Sequence, residues 1–307
     1  MLGSIRVSDW GKKMTVTDLE IAGLTPRQAM RAKAGKHKGF IYGAIVIGII
    51  ALAAIFAPLI TPYDYASQEL TNRLALPVWA GGSWDHPLGT DHLGRDYLAR
   101  LLYGARISLV VGFLAASLGC VIGVTLGVMA GYYGGRVDQV ISFLLSCQLA
   151  LPGLLTAMAL VFLLGPSVPT VIMVIGFLHW GLYLIITRAA TQRIRQLEYV
   201  TASKALGAGT WATIWHDILP NLLSSIFVVF TFEVGGAILA EASLSFLGVG
   251  IPSPMPSWGL MIAEGKNSIF FQPWLVTIPG VALFILVIAT NLMGDALRDI
   301  TEPEGRN

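Results

Sequence analysis

The sequence predicts an all-α polytopic membrane protein with six transmembrane helices. Hydrophobic residues make up 55% of its 307 residues and charged residues only 12%. With a mean hydropathy of +0.70, that is more apolar material than one soluble core needs. Charge-poor runs also recur at the length of roughly 20 residues that a helix needs to cross the hydrocarbon. Lys and Arg, finally, divide unevenly between the connections, fifteen on one side and four on the other.

The first run is Ile41–Ile60 and the second Ile107–Gly131. The uncharged block Gln139–Thr187 is too long for one crossing and is broken at Gly165–Pro169, so it supplies spans three and four. Leu222–Leu247 is the fifth span despite Glu233 and Glu241, and Trp274–Gly294 is the sixth. A cleaved secretory signal is the rival reading of the first run, with Ala53, Ala54 and Ala57 near a cleavage point. The long charged segment before it argues against cleavage, because signal peptides carry a short basic region.

Orientation follows from the basic residues. The tail to Gly39, the turn Tyr132–Asp138, the connection Arg188–Pro220 and the C-terminal tail hold the larger share, which places them and both termini in the cytoplasm. A net charge of +2 means little by itself, because the basic residues cluster. Arg27, Arg31, Lys33, Lys36 and Lys38 precede span one, where anionic lipid attracts each by about 1 kcal/mol. Thr25-Pro26 has the form of a helix start, so an interfacial helix is expected there. No aromatic interleaving supports nucleic-acid binding by this patch.

Cys120 and Cys147 both fall in predicted spans, where buried thiols behave as small hydrophobes and a disulfide framework is excluded. In span two a small residue recurs every fourth position: Ala115, Gly119, Gly123, Gly127 and Gly131. That spacing makes one stripe along which another helix can approach closely, so the stripe is expected to pack helix on helix. Pro152 and Pro279 are expected to kink spans three and six.

The connection after span four reads "EYVTASKALGAGTWATIWHDILPN" from Glu198. Tyr199, Val200, Ala202, Ala205 and Leu206 can share one helical face, with Glu198, Thr201 and Lys204 on the other, so a short amphipathic helix is expected. Gly207 and Gly209 are expected to end it, since glycine reaches left-handed angles without steric cost. Pro220 suits the opening turn of span five. The helix either rests on lipid or docks into a protein cleft, and its small residues favour the cleft.

These residues carry a resemblance. Glu198, Ala202, Ser203, Gly207, Leu219 and Pro220 resemble the "EAA…G…LP" motif of permease subunits in bacterial ATP-binding-cassette importers, departing from it at Ser203 and Asp217. "HPLGTDHLGRDYLARLLYGARISL" (His86–Leu109), "ASLSFLGVGIPSPMPSWGLMIAEG" (Ala242–Gly265) and "NLMGDALRD" (Asn291–Asp299) are similar to the C-type subunits of dipeptide and oligopeptide permeases. The resemblance covers nearly all of Ile41–Pro303.

It implies a type I importer permease. Residues 1–39 would be a basic cytoplasmic tail, 40–60 the first span, 61–103 an external segment, 104–297 a five-span permease core and 298–307 a cytoplasmic tail. A coupling loop, 191–221, would meet the ATPase through Glu198, Tyr199, Thr201, Ala202, Ser203, Ala205, Leu206, Gly207, Ala208, Leu219 and Pro220. The implied partners are a homologous permease subunit, two ATP-binding subunits that hold ATP and magnesium, an extracytoplasmic substrate-binding protein and the bilayer. This chain would carry no cofactor and would form half of a peptide path. Nickel chelates, glutathione and oligosaccharides are the alternative cargoes.

The residues agree that energy comes from elsewhere. Neither "GKH" at Gly35 nor "GKN" at Gly265 completes a phosphate-binding G-x-x-x-x-G-K-[ST] loop, and no H-E-x-x-H, G-x-S-x-G or CxxC is present. His86 and His92 with Asp85, Asp91 and Asp96 fit no common metal spacing, and the neighbouring glycines suggest a turn leading into span two. Glu233 and Glu241 cannot face lipid cheaply. Glu241 is expected to make a structural hydrogen bond, and Asn291 and Asp295, near the cytoplasmic end, are expected to be structural. Glu233 either lines the path, where it could meet a substrate ammonium, or forms a buried pair. A secondary transporter needs internal repeats, which are not visible, and a channel needs a filter or an arginine series.

Overall fold

A computed structural model describes residues 37–301, and every regular element among them is helical, with one isolated bridge between Thr90 and Asp96. The helix start expected at Thr25-Pro26, the basic residues through Lys36 and the tail beyond Thr301 lie outside the described residues. Five helical runs among the described residues are long and apolar enough to cross a bilayer, and a bent helix pair makes six when its halves are counted as one span.

Helix α1 (Lys38–Ile55) buries only Gly43 and Ala54. It lies antiparallel to the last helix, α10 (Trp274–Thr301), closely enough that a Cβ at Gly43 would stand 2.7 Å from the Ala289 carbonyl oxygen. His37 Nε2 and Asp299 Oδ2 are 3.4 Å apart, so both ends of the described chain share one face of the molecule, the terminal face. Helix α10 runs unbroken through Pro279.

Helix α2 (Tyr97–Tyr133) has 37 residues, or about 55 Å at 1.5 Å each. Span two was expected to begin at Ile107, and the helix begins ten residues earlier. Two local causes explain the difference. Asp96 caps the helix, accepting from Ala99 N at 2.7 Å. The charge of Arg100, fully buried, is then matched by carboxylates: its Nη1 lies 2.5 Å from both Asp91 Oδ2 and Glu264 Oε2. Glu264 stands on α9 (Trp258–Gly265) and also takes Arg95 Nη2 at 3.0 Å, while Arg95 Nε reaches Asp91 at 2.6 Å. This four-membered network clamps the segment before α2 to α9. Burial pushes the Asp91 carboxyl up, but Arg100 and Arg95, with the backbone N–H groups of Arg95 and Leu93, outweigh it and hold the carboxyl below its usual range.

Span three is interrupted. Helices α3 (Gly135–Ala150) and α4 (Gly153–Leu164) meet at 89°. Pro152 drives Leu151 to extended angles (φ −95°, ψ 134°), as a residue before proline must go. The result is a break, sharper than the expected kink. Span four is α5 (Val168–Leu178) followed by α6 (Gly181–Ile194), joined through His179 and Trp180.

After α6 comes a short helix, α7 (Glu198–Ala205), near the terminal face: Lys204 Nζ sits 4.5 Å from the ring centroid of Tyr132 at the end of α2. Span five begins earlier than expected. Its helical run starts at Thr210, passes through a π-helical turn at Thr213–Ile218 and continues as α8 (Leu219–Phe246). Pro220 therefore lies inside a continuous run, and the wider π turn before it absorbs the proline's missing N–H and ring.

Candidate functional site

Helix α7 buries one side chain. Val200 is fully buried among Val128 of α2, Ile194 of α6, and Ile218, Leu222 and Ile226 of the span-five run. Burying a valine is worth about 1.5–3 kcal/mol, enough to seat a helix of eight residues but little more. The proposed division into two faces needs correction, because Tyr199, Ala202, Ala205 and Leu206 do not join Val200 in the core. They are exposed, as are Glu198 and Thr201, and Leu206 is 89% exposed. Ser203 is half-buried.

Gly207 has φ +92° and turns the chain, its N–H bonded to the Lys204 carbonyl, and Ala208 N reaches the Ser203 carbonyl at 3.1 Å. Gly209 does not share this role; at φ −69°, ψ 161° it is extended and precedes the helical run from Thr210. Tyr199 crosses to the π turn, where its hydroxyl donates to the Asp217 carbonyl at 3.3 Å and accepts from Asn221 Nδ2 at 3.0 Å. Asn221 Nδ2 also reaches the Asp217 carbonyl, at 2.7 Å. Side chains thus satisfy a carbonyl in the irregular turn. Leu219, directly after the turn, is half-buried and Pro220 is exposed.

The glycine stripe lies against span four of the same chain. A Cβ at Gly119 would stand 3.1 Å from the His179 carbonyl, and one at Gly123 2.6 Å from Tyr183 Cβ. At Gly127 it would meet the Leu184 carbonyl at 2.9 Å, and at Gly131 Thr191 Cβ at 2.6 Å. Both backbones come together because no side chain intervenes.

Glu233 of α8 meets His179, its carboxylate Oε2 2.5 Å from the imidazole Nδ1. The carboxylate side chain is 12% exposed and the imidazole 23%. Glu241 is fully buried on the same helix and accepts from Ser245 Oγ at 2.7 Å. His86 pairs with the cap, its Nδ1 2.9 Å from Asp96 Oδ1, and its ring lies 4.7 Å from that of Tyr63. Asp91, His92 and Glu264 bring ligand atoms within 4.8 Å of one another, but the two carboxylates already hold Arg95 and Arg100. An arginine-neutralised pair serves the clamp rather than a metal.

Against known proteins, the family described as "Binding-protein-dependent transport system inner membrane component" matches residues 123–306. The chain belongs to this family. The N-terminal transmembrane domain of oligopeptide transport permease C matches residues 25–77. The dipeptide transport system permease protein DppC of Haemophilus influenzae is 41% identical over 95% of this chain and 99% of its own. DppC of Escherichia coli K12 is 42% identical over 92% and 94%. The glutathione transport system permease protein GsiD of Pectobacterium atrosepticum is 35% identical over 96% and 98%. A solved amino acid ABC transporter shares the fold, with a TM-score of 0.50 over 66% of this chain and 95% of that one at 16% identity. The protein is thus a multi-span permease subunit of a binding-protein-dependent importer, in the inner membrane.

Sequence reasoning missed three of the permease's features. His179 went unnoticed because spans were found by the lack of Asp, Glu, Lys and Arg, a test blind to histidine; a lone imidazole inside an uncharged block is the signal that could have found it. Gln148 escaped for the same reason. Arg95 and Arg100 were counted as loop charges, and nothing in their spacing alone announces Glu264 as their partner.

Proposed function

We propose that this permease forms half of a peptide path in an ATP-driven importer and that α7 is its contact with an ATP-binding subunit. The observation that carries the reading is the surface of α7: with Val200 its one buried residue, it presents Leu206 and the exposed part of Tyr199 outward beside Ala202 and Ala205. An exposed large apolar side chain beside small ones, on a rigid short helix, suits a protein cleft. The terminal face is then cytoplasmic, in accord with the distribution of Lys and Arg. A homologous permease completes the path, two ATP-binding subunits hold ATP and magnesium, and an extracytoplasmic binding protein delivers cargo. Hydrolysis belongs to those subunits and not to this chain.

The names of the relatives, which include dipeptide, di/tripeptide and glutathione permeases, support short peptides as the cargo. Glutathione is itself a tripeptide and falls within that class.

The test is Gly207→Val in the assembled complex in lipid. A β-branched residue at φ +92° costs about 1–3 kcal/mol and would displace the C-terminal turn of α7 while the spans still insert. Co-purification of the ATP-binding subunits should fall, and the rise in hydrolysis on adding loaded binding protein should disappear. Unchanged stimulation would overturn the coupling role.

A further inference from the structure

The two interruptions in spans three and four open onto one cavity of about 590 Å³ at their breaks, within the size range of small-ligand sites. Leu151 and Pro152 line it from one break and Leu178 and His179 from the other, and α8 contributes Ser243. No Lys, Arg, Asp or Glu lines it, and most of its wall is aliphatic. Gln148, His179 and Ser243 are the polar side chains in its lining. Gln148 Nε2 donates to the Leu178 carbonyl at 2.5 Å, which leaves Gln148 Oε1 buried without a protein partner. Ser243 Oγ gives its proton to the Leu239 carbonyl at 2.7 Å, leaving lone pairs.

His179 completes the set. A carboxylate only accepts, so the proton between His179 and Glu233 is assigned to Nδ1; the tautomer protonated there alone presents Nε2 as an acceptor. The ring is seated for this: a Cβ at Gly236 would stand 3.4 Å from its Cε1, and the His179 backbone rests on Gly119. Behind the ring, Glu233 places a negative charge in a low-dielectric region, where it draws a cation into the cavity more strongly than it would in water. Glu233 thereby acts as a positioning residue and His179 makes the contact.

We propose that this cavity is a subsite for the N-terminal ammonium of a peptide in transit, held by the acceptors of His179 and Ser243, with aliphatic walls for the first side chain. The proposal rests on the importer reading above.

It is tested in the complete transporter, reconstituted in vesicles with its binding protein, ATP and magnesium. Two dipeptides carry a diazirine leucine at the first or at the second position, and both keep a free ammonium and carboxylate. Illumination during turnover should label residues 148–154 or 239–244 about tenfold more with the first-position probe, the selectivity one charge-assisted hydrogen bond supplies. In His179→Leu and Glu233→Gln this ratio should fall towards one. Equal labelling by the two probes in the unaltered complex, with stimulated hydrolysis intact, overturns the ammonium subsite alone and needs no variant. Absence of stimulated hydrolysis in that complex overturns the importer reading and this one with it. A ratio that survives both substitutions overturns the roles given to His179 and Glu233.

Discussion

Replacing Gly123 by alanine sets two effects of opposite sign against each other, and the structure decides between them. Alanine gains about 1 kcal/mol over glycine in helix propensity. Its Cβ, however, would lie 2.6 Å from Tyr183 Cβ and closer still to the Trp180 carbonyl oxygen. Carbon contacts relax at about 3.5–4.0 Å, so α2 and α6 must separate by roughly 1 Å. Overpacking of this kind costs about 1–3 kcal/mol, and here the obstruction is backbone and Cβ, which cannot rotate away. Gly123→Ala should therefore lose a net ~0–2 kcal/mol after the propensity gain, about 1–3 kcal/mol worse than an alanine that meets nothing. Gly48→Ala is the control, because nothing lies within 4 Å of its Cβ, and it should be neutral or stabilising. A sharper expectation concerns the pair. Gly127→Ala meets the Leu184 carbonyl on the same helix, so the separation that relieves one substitution relieves the other, and the double variant should cost less than the sum. Thermal unfolding of the purified permease in lipid discs measures all four. Strict additivity, or a Gly123→Ala protein as stable as Gly48→Ala, would refute the argument that direct backbone approach sets the stability of this seam.

Asp91→Asn should destabilise the permease by about 3–5 kcal/mol in the same unfolding assay, because it leaves two buried guanidinium groups sharing Glu264. The Asp91 carboxyl titrates below its unfolded range, so its contribution is complete above about pH 4 and is lost as pH falls through the lower folded value; the unaltered protein should lose stability there and Asp91→Asn should lose less. Val200→Asp and Leu206→Asp should both reduce co-purification of the ATP-binding subunits, but only Val200→Asp, which buries an unpaired carboxylate, should lower the permease's own thermal midpoint. With Cys120 and Cys147 removed, Ser83→Cys in whole cells should react with an impermeant thiol reagent and Ser203→Cys should not; the reverse pattern would invert the topology.

The spans were legible because hydrocarbon imposes a length and tolerates no unpaired charge, so Ile41–Ile60 and Trp274–Gly294 could be found by counting. The same rule misplaced the start of α2, since Arg100 and Arg95 are buried charges made tolerable by Asp91 and by Glu264, more than 160 residues away in sequence. Long-range compensation leaves no local mark. The helix at Glu198 and the turn at Gly207 were legible from composition and from glycine's conformational freedom. Which side of α7 faces inward was not, because one valine does that work and the other apolar residues stay outside. Pro220 does stand in the opening turn of α8, and only the structure reveals the π turn before it that makes the helical run continuous from Thr210.

The candidate subsite depends on two breaks that the sequence shows only separately. Irregular backbone at membrane depth is tolerated only where protein or a polar cavity satisfies it. Here each break helps satisfy the other: the carbonyl of Leu178, at the end of α5, accepts from Gln148 at the end of α3, and Gln148 stands one turn before Pro152. Closing either break with regular helix would remove an acceptor from the cavity and strand a polar group in the other. The break at Leu151–Pro152, the bend at His179 and the carboxylate of Glu233 therefore form one device, in which interruption of the helices supplies the space and Glu233 behind His179 supplies the charge. Gly119 admits the His179 backbone against α2, and Gly236 leaves room for its ring beside α8. Substituting Pro152 alone should disturb the same first-position labelling as substituting His179, although the two residues belong to different spans.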